Sequence, residues 1–304
     1  MKGPAVAIGG PTATGKSEAA VLVALALGGE VVSADSMQIY RGLDIGTAKP
    51  SKGDLARVRH HMIDIADPTE EFSVSRFDSM ARREVQDVQD RGLVPVICGG
   101  TGMYLDSLIR DAGFSGPAGL RADEDGRTAD ELYRELRELD PEYASSISKN
   151  DLRRIKRALG KIHATGRKVS EDAYFRDLPL PQGVMLAVLW YHDRKALYGK
   201  IDERVDRMAE QGLVEEARRV FLMKDRCPTA SQAIGYKELF PYFEGTSSLD
   251  ECLERVKKAT RNFAKRQMTW FRRDGDAFFV EMDGRTPADA AEEIAAEASS
   301  RGIA

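Results

Sequence analysis

The chain has 304 residues, 42% of them hydrophobic and 31% charged, and a formal net charge of −4; that is room for one large domain or two, with the balance of an ordinary globular protein. Its longest apolar run, residues 19–27, is too short to cross a bilayer and follows a glutamate, so it reads as a buried helix and not as a signal peptide. Cys98, Cys227 and Cys252 stand far apart, make neither a zinc spacing nor a disulfide framework, and point to a reducing, cytoplasmic setting with no membrane partner.

"PAVAIGG" reads as a short buried strand. After it comes "GPTATGKS", then the helix "SEAAVLVALALGG", closed by Gly28 and Gly29. "EVVSAD", residues 30–35, is a second strand, and "HHMIDI", residues 60–65, a third. "FSVSRFDSMARREVQDVQDRG" is a helix stopped by Gly92, and "LVPVICGG" is another apolar strand running into the glycine loop "GGTGMY". Strands alternating with helices define an α/β fold, a parallel sheet with helices on both faces. Such sheets bind ligands at the carboxyl ends of their strands. The loop after the first strand, Asp35 and Thr101 are therefore expected to meet on one edge.

The pattern changes near Phe114. "SGPAGLRADEDG" reads as a loop, and residues 128–166 are helical, with Leu132, Leu136 and Leu139, then Leu152, Ile155, Leu159 and Ile162, at helical spacing. "LPLPQG" breaks the chain, and "VMLAVLWY" returns to the sheet. Residues 115–183 are thus expected as a helical insertion in a core made of residues 1–114 and 184–304. From Arg194 onward the chain reads as mainly helical.

Charge is unevenly spread. Residues 149–168 carry eight Lys and Arg against the single acid Asp151, and residues 253–273 carry eight against Glu254. Two basic blocks in a mildly acidic protein suggest local polyanion surfaces such as RNA; a solvated helix face is the plainer alternative.

"GPTATGKS" matches the phosphate loop G-x-x-x-x-G-K-[ST], and its place between a strand and a helix makes the match specific. Gly10, Pro11, Thr12, Ala13, Thr14 and Gly15 form the turn whose amides face an anion, Lys16 supplies positive charge, and the Ser17 hydroxyl suits Mg²⁺. The core is therefore expected to resemble that of the P-loop NTPases. A hydrolytic NTPase usually has a second Mg²⁺-holding acid at the end of an apolar strand, but "LVPVICGG" ends in Cys and Gly. The strand that ends in an acid is "EVVSAD". Asp35 is therefore a candidate general base directed at an acceptor, or else a turn carboxylate. His60 and His61 are adjacent on a strand and point to opposite faces, so they do not share a metal ion.

"GPTATGKS", "VVSADSMQIYRGLDIGTAKP", "HHMIDI", "GGTGMY", "NDLRRIKRAL", "IGYKE" and "AKRQMTWFR", in that order and over nearly the whole length, resemble the bacterial tRNA dimethylallyltransferases. The resemblance implies transfer of a prenyl group from dimethylallyl diphosphate to the exocyclic amine of the adenosine immediately 3′ of the anticodon, with a Mg²⁺ requirement. The loop would then hold a diphosphate leaving group and not a nucleotide. The family's roles fall on Asp35 as base and on Asp35, Ser36, Met37, Gln38 and Thr101 as contacts of the tRNA, with Met37 and Gln38 beside the flipped-out base. tRNA contacts are implied on Arg153, Arg154, Ile155, Lys156 and Arg157 and on Lys265, Arg266, Gln267 and Arg272. Arg204, in "RKALYGKIDERVDRM", is expected as a second cation for the diphosphate. Trp270 and Phe271 are expected to pack. The partners expected are the anticodon stem-loop of tRNA and dimethylallyl diphosphate, acting on a monomer.

The chain departs from the family pattern in places. Residues 116–128 are shorter than in many relatives, Leu152 stands where Pro is common, and no Cys/His pair for a zinc finger is present. Three rivals remain: a prenyltransferase of free adenine nucleotides, an ATP-dependent small-molecule kinase, and a non-catalytic phosphate-binding RNA chaperone. The basic blocks favour tRNA over the first two, and Asp35 speaks against the third.

Overall fold

The computed structural model describes residues 3–110, 127–171 and 178–303. Its elements run β1 (Ala5–Gly9), α1 (Lys16–Leu27), β2 (Gly29–Ser33), α2 (Lys52–Arg57), β3 (His60–His61), α3 (Val74–Asp90), β4 (Val94–Cys98), α4 (Gly102–Ile109), α5 (Ala129–Leu139), α6 (Pro141–Ser146), α7 (Leu152–Thr165), β5 (Val184–Trp190), α8 (Arg194–Glu210), α9 (Leu213–Leu222), α10 (Phe240–Phe243), α11 (Leu249–Phe271), β6 (Phe278–Glu281) and α12 (Pro287–Ser300). The chain divides into two compact units, Met1–Asp111 with Pro179–Ala304, and Ala112–Leu178.

The first unit is built on a six-stranded sheet of order β3-β2-β4-β1-β5-β6, and every strand pair in it is parallel. Alternate side chains of each strand go to opposite faces. Val6, Ile8, Val96, Met185 and Ala187 pack against Ala19, Ala20 and Val23 of α1 and Ala290 and Ile294 of α12. Ala5, Ala7, Ile97, Leu186 and Val188 pack under Phe77 of α3, Leu105 and Leu108 of α4, and Phe271 of α11. Burial on both faces is why the strands read as unbroken apolar runs. The second unit has its own core, in which Leu132 and Leu136 of α5 meet Ala144 of α6 and Ile155, Leu159 and Ile162 of α7. Its helices start where the sequence places caps. Thr128 and Glu131 form a reciprocal capping box at α5, the Asp151 carboxylate accepts from the Arg154 amide at α7, and Gly166 closes α7 in the left-handed region.

Several expectations are corrected. The strand expected over residues 60–65 is only His60–His61, because Met62 and Asp64 both take positive φ, 64° and 56°, which breaks an extended run. Gly29 opens β2, and α1 is closed by Gly28 alone. The C-terminal part is mainly helical, as expected, with one strand the sequence did not show. "FFVE" forms β6 beside β5, with Ala187 facing Phe278, a strand too short and too exposed to show an alternation. The loop expected at "SGPAGLRADEDG" and the shortening after Gly116 lie almost entirely outside the described residues. Among the described residues no helix is long and apolar enough to cross a membrane.

Candidate active site

The register of three neighbouring strands levels their carboxyl ends. Cys98 at the end of β4 pairs with Ile8 of β1 on one side and Ser33 of β2 on the other. Two residues further along each chain lie Gly10, Gly100 and Asp35. The phosphate loop, the glycine loop before Thr101, and the Asp35 turn therefore leave the sheet side by side, as the alternation of strands and helices requires.

In the phosphate loop, Ala13 and Gly15 take positive φ, 65° and 83°, turning the chain so that Gly15 becomes the N-cap of α1. Thr14 is 1% exposed, and its hydroxyl donates to the Pro11 carbonyl at 2.9 Å. The Lys16 ammonium folds back onto the same carbonyl. Burial lowers the Lys16 pKa to about 8, helped by Arg204 and opposed by the Cys98 thiol and Asp35. Ser17 is exposed at the first turn of α1. Within the loop, Pro11 has no N–H to offer an anion, and the Thr12 amide donates to Oε1 of Gln267 at 2.9 Å.

Asp35 is partly buried. Its Oδ1 accepts from the amides of Met37 at 2.8 Å and Gln38 at 3.3 Å, which makes the carboxylate the organiser of its own turn. Its Oδ2 receives no hydrogen bond from any described residue. Burial raises its pKa, against the pull of the two amides, Lys16 and Arg204. The turn reading made from the sequence describes one oxygen, which holds the turn, while the other is open. Arg204 of α8 comes close enough to feel both Asp35 and another cation, Arg207, although burial is the main cause that lowers its pKa. Across the gap, Ser36 Oγ and Thr101 Oγ1 are 3.4 Å apart. Thr101 occupies the N-cap position of α4 without using its hydroxyl as a cap.

Other expected contacts prove to face inward. Gln38 is 9% exposed; its Oε1 accepts from the Ser33 hydroxyl at 2.9 Å, and its Nε2 donates to the carbonyls of Thr47 and Ala48 at 3.3 and 3.2 Å. Ile155 is fully buried in the core of the second unit, because it shares the apolar face of α7 with Leu159. Gln267 is 5% exposed. These three side chains face the protein interior, where each is held by other parts of the fold. Arg153, Arg154 and Arg157 are exposed on α7 while Lys156 is partly buried. Lys265, Arg266 and Arg272 are exposed at the end of α11, where a cavity of about 440 Å³ is lined by Lys265, Arg266, Thr269, Trp270 and Arg273, among others. Further up the same helix, Arg261 pairs with Asp202 at 2.5 Å and Lys257 with Asp206 at 2.8 Å, both on α8, so part of that basic block is neutralised within the fold. Phe271 is 1% exposed, and the Trp270 indole N–H donates to Asp106 Oδ2 at 2.7 Å. Both pack, as expected.

Sequence reasoning missed Glu216. It is 2% exposed on α9 and accepts from the amides of Asp44, Ile45 and Gly46 at 2.8, 3.0 and 2.8 Å, and from the Tyr236 hydroxyl at 2.8 Å. This carboxylate clamps "GLDIG", whose continuation in turn holds Gln38. The only signal in the sequence was the stretch "IGYKE", which supplies Tyr236. His61 bridges Glu30 at 2.7 Å and Glu84 at 2.6 Å; it braces the base of the sheet.

A parallel sheet with a phosphate loop after an inner strand, an acid on a turn at the same edge and two cations that act on that acid suits the class of transferases that handle a phosphorylated donor. A family model described as IPP transferase matches residues 38–274. tRNA dimethylallyltransferases of Anoxybacillus flavithermus and Pelotomaculum thermopropionicum are each 42% identical to the chain, the first over 91% of this chain and 90% of the relative, the second over 97% and 96%. The crystal structure of a full-length tRNA isopentenylpyrophosphate transferase from Bacillus halodurans superposes with a TM-score of 0.73 at 36% identity, covering 99% of this chain and 98% of that one. A eukaryotic dimethylallyltransferase acting on tRNA gives 0.80 at 29% identity over all of this chain and 78% of its own. The chain belongs to the IPP transferase family.

Proposed function

We propose that the protein transfers a dimethylallyl group from dimethylallyl diphosphate to the exocyclic amine of the adenosine immediately 3′ of the anticodon in tRNA, releasing diphosphate. The observation that carries this is the level register of β2, β4 and β1, which sets an open carboxylate oxygen beside an anion cradle, with two partly buried cations, Lys16 and Arg204, close by. In the reaction the amine nitrogen forms a bond to the allylic carbon, the C–O bond breaks, and its electron pair leaves on the diphosphate. Lys16, Arg204 and the loop amides from Ala13 to Ser17 oppose that charge as it develops. The nitrogen becomes cationic as it gains carbon, and its proton passes to Asp35 Oδ2. Thr101 and Ser36 line the acceptor's side. The protein's donor set fits Mg²⁺: the Ser17 hydroxyl is exposed, and Mg²⁺ commonly takes one or two protein oxygens, substrate phosphates and water. No group of three or more His, Cys, Asp or Glu able to hold a metal occurs among the described residues. When bound, the ion would neutralise charge on the leaving diphosphate. The exposed arginines of α7 and the exposed cations at the end of α11 would carry the anticodon stem-loop.

The test is one incubation. Protein, Mg²⁺, dimethylallyl diphosphate and unmodified tRNA with an adenosine 3′ of the anticodon are mixed with ATP scrupulously removed, and the tRNA is digested for nucleoside mass spectrometry. An adenosine heavier by one prenyl unit is the expected result. Product only with free adenine nucleotides, or only when ATP is added, would replace the reading by one of its rivals.

A further inference from the structure

The stretch "KRQMTWFR", expected to meet RNA along its length, is divided by face. Lys265, Arg266 and Arg272 are exposed, while Gln267 is buried. The Gln267 carboxamide reaches into the edge of the sheet, where Oε1 accepts from the Thr12 amide at 2.9 Å and Nε2 donates to the Gly100 carbonyl at 2.8 Å. Thr12 belongs to the loop that cradles the leaving group, and Gly100 is next to Thr101 on the acceptor's side. One side chain therefore ties together the two loops between which the prenyl group must pass. The fit leaves no slack: a Cβ at residue 100 would lie 2.2 Å from Gln267 Nε2, and one at residue 102 would lie 2.3 Å from the Trp270 ring. Trp270, three residues on and thus on the same side of α11, fixes the helix by donating to Asp106, which also binds Arg110 of the same α4 segment.

We infer that Gln267 is a positioning residue of the transfer reaction, setting the spacing of the phosphate loop and the Thr101 loop through a two-ended carboxamide, and is not a tRNA contact. The inference rests on the proposed prenyl transfer. The two ends make a specific chemical demand: an acceptor toward Thr12 and a donor toward Gly100. Gln267→Glu keeps shape and acceptor but sets a carboxylate oxygen against the Gly100 carbonyl. Once protonated, that carboxyl has an O–H to donate and restores both bonds. Gln267→Met is similar in length and can restore neither at any pH.

The experiment measures the single-turnover transfer rate, tRNA affinity and inorganic diphosphate affinity of wild type and both variants between pH 6 and about 8.5. At the alkaline end both variants should lose roughly ten- to a hundredfold in rate, the scale expected when reacting groups are misplaced by less than about an ångström, with tRNA affinity within about twofold of wild type. As pH falls, the ratio of the Gln267→Glu rate to the wild-type rate should climb, while the Gln267→Met ratio stays flat. A flat ratio for Gln267→Glu, or weakened tRNA binding with an unchanged rate, overturns the inference. If the wild type transfers no prenyl group, the functional reading has failed instead. The positioning claim is then read from diphosphate affinity, where Gln267→Glu must still recover toward wild type at low pH, and a failure to recover overturns it separately.

Discussion

At the scale of single residues, the site is a balance between burial and charge. Lys16 is the clearest case, since burial has lowered its pKa to about 8. In the proposed reaction its positive form binds diphosphate, so affinity should fall as pH rises through about 8, by up to about tenfold per unit. Lys16→Arg keeps its charge throughout that range. The ratio of wild-type to variant affinity, which cancels the ionisation of the ligand itself, should decline above pH 8; a constant ratio would show that the ammonium is not the group engaged. Asp35 is shifted upward by the same burial. Because a raised carboxyl is protonated at a higher pH, the acid limb of the single-turnover rate should lie above the ordinary carboxylate range of about 4. A limb at or below 4 would mean that the rate does not report Asp35. Gly10, Lys16, Ser17 and Asp35 were legible because their chemistry depends on local order in the chain. Arg204 was legible only through the family likeness, and the structure brings it to Asp35 from a different helix.

At the scale of elements, the sheet and the helices were readable and their cross-links were not. β1, β4 and β5 announce themselves as apolar runs because helices cover both of their faces. β6 hides because only Val280 of its four residues is buried. The Glu216 clamp is invisible because a glutamate on a helix of alternating charge reads as solvated. Its role is set by a loop about 170 residues away, with the separations of its bonds to Ile45 and Gly46 at 171 and 170. Glu216→Ala would strand three amides and a phenol, at about 1–3 kcal/mol for each one left unsatisfied. At roughly 2–4 °C per kcal/mol for a domain of this size, melting should drop by more than about 5 °C. Tyr236→Phe removes one donor and should lose a minor part of that. Equal melting of both variants and wild type would show that the clamp carries no stability.

At the scale of the whole molecule, the proposed function requires tRNA binding as well as transfer. The exposed arginines of α7 belong to a unit with its own core, so Arg153→Ala with Arg157→Ala should leave the fold intact. Removing one arginine–phosphate interaction should reduce the salt dependence of tRNA binding by about 0.7 for a single strand, giving a slope flatter by roughly one to two units in the double variant. The rate at saturating tRNA should be nearly unchanged. Parallel slopes with equal affinity would mean that this face of α7 is only solvated. Once both substrates are held, the proposed transfer takes place at the edge shared by β2, β4 and β1, with Asp35 taking the proton. The measurement that tests it most directly is the single-turnover prenylation rate of Asp35→Asn beside its affinities for tRNA and diphosphate. Asn keeps an oxygen to accept from the Met37 and Gln38 amides but cannot take a proton. Both substrates should bind as they do to wild type, while the rate falls by on the order of a hundredfold or more. A near-normal rate with both substrates bound would contradict the account.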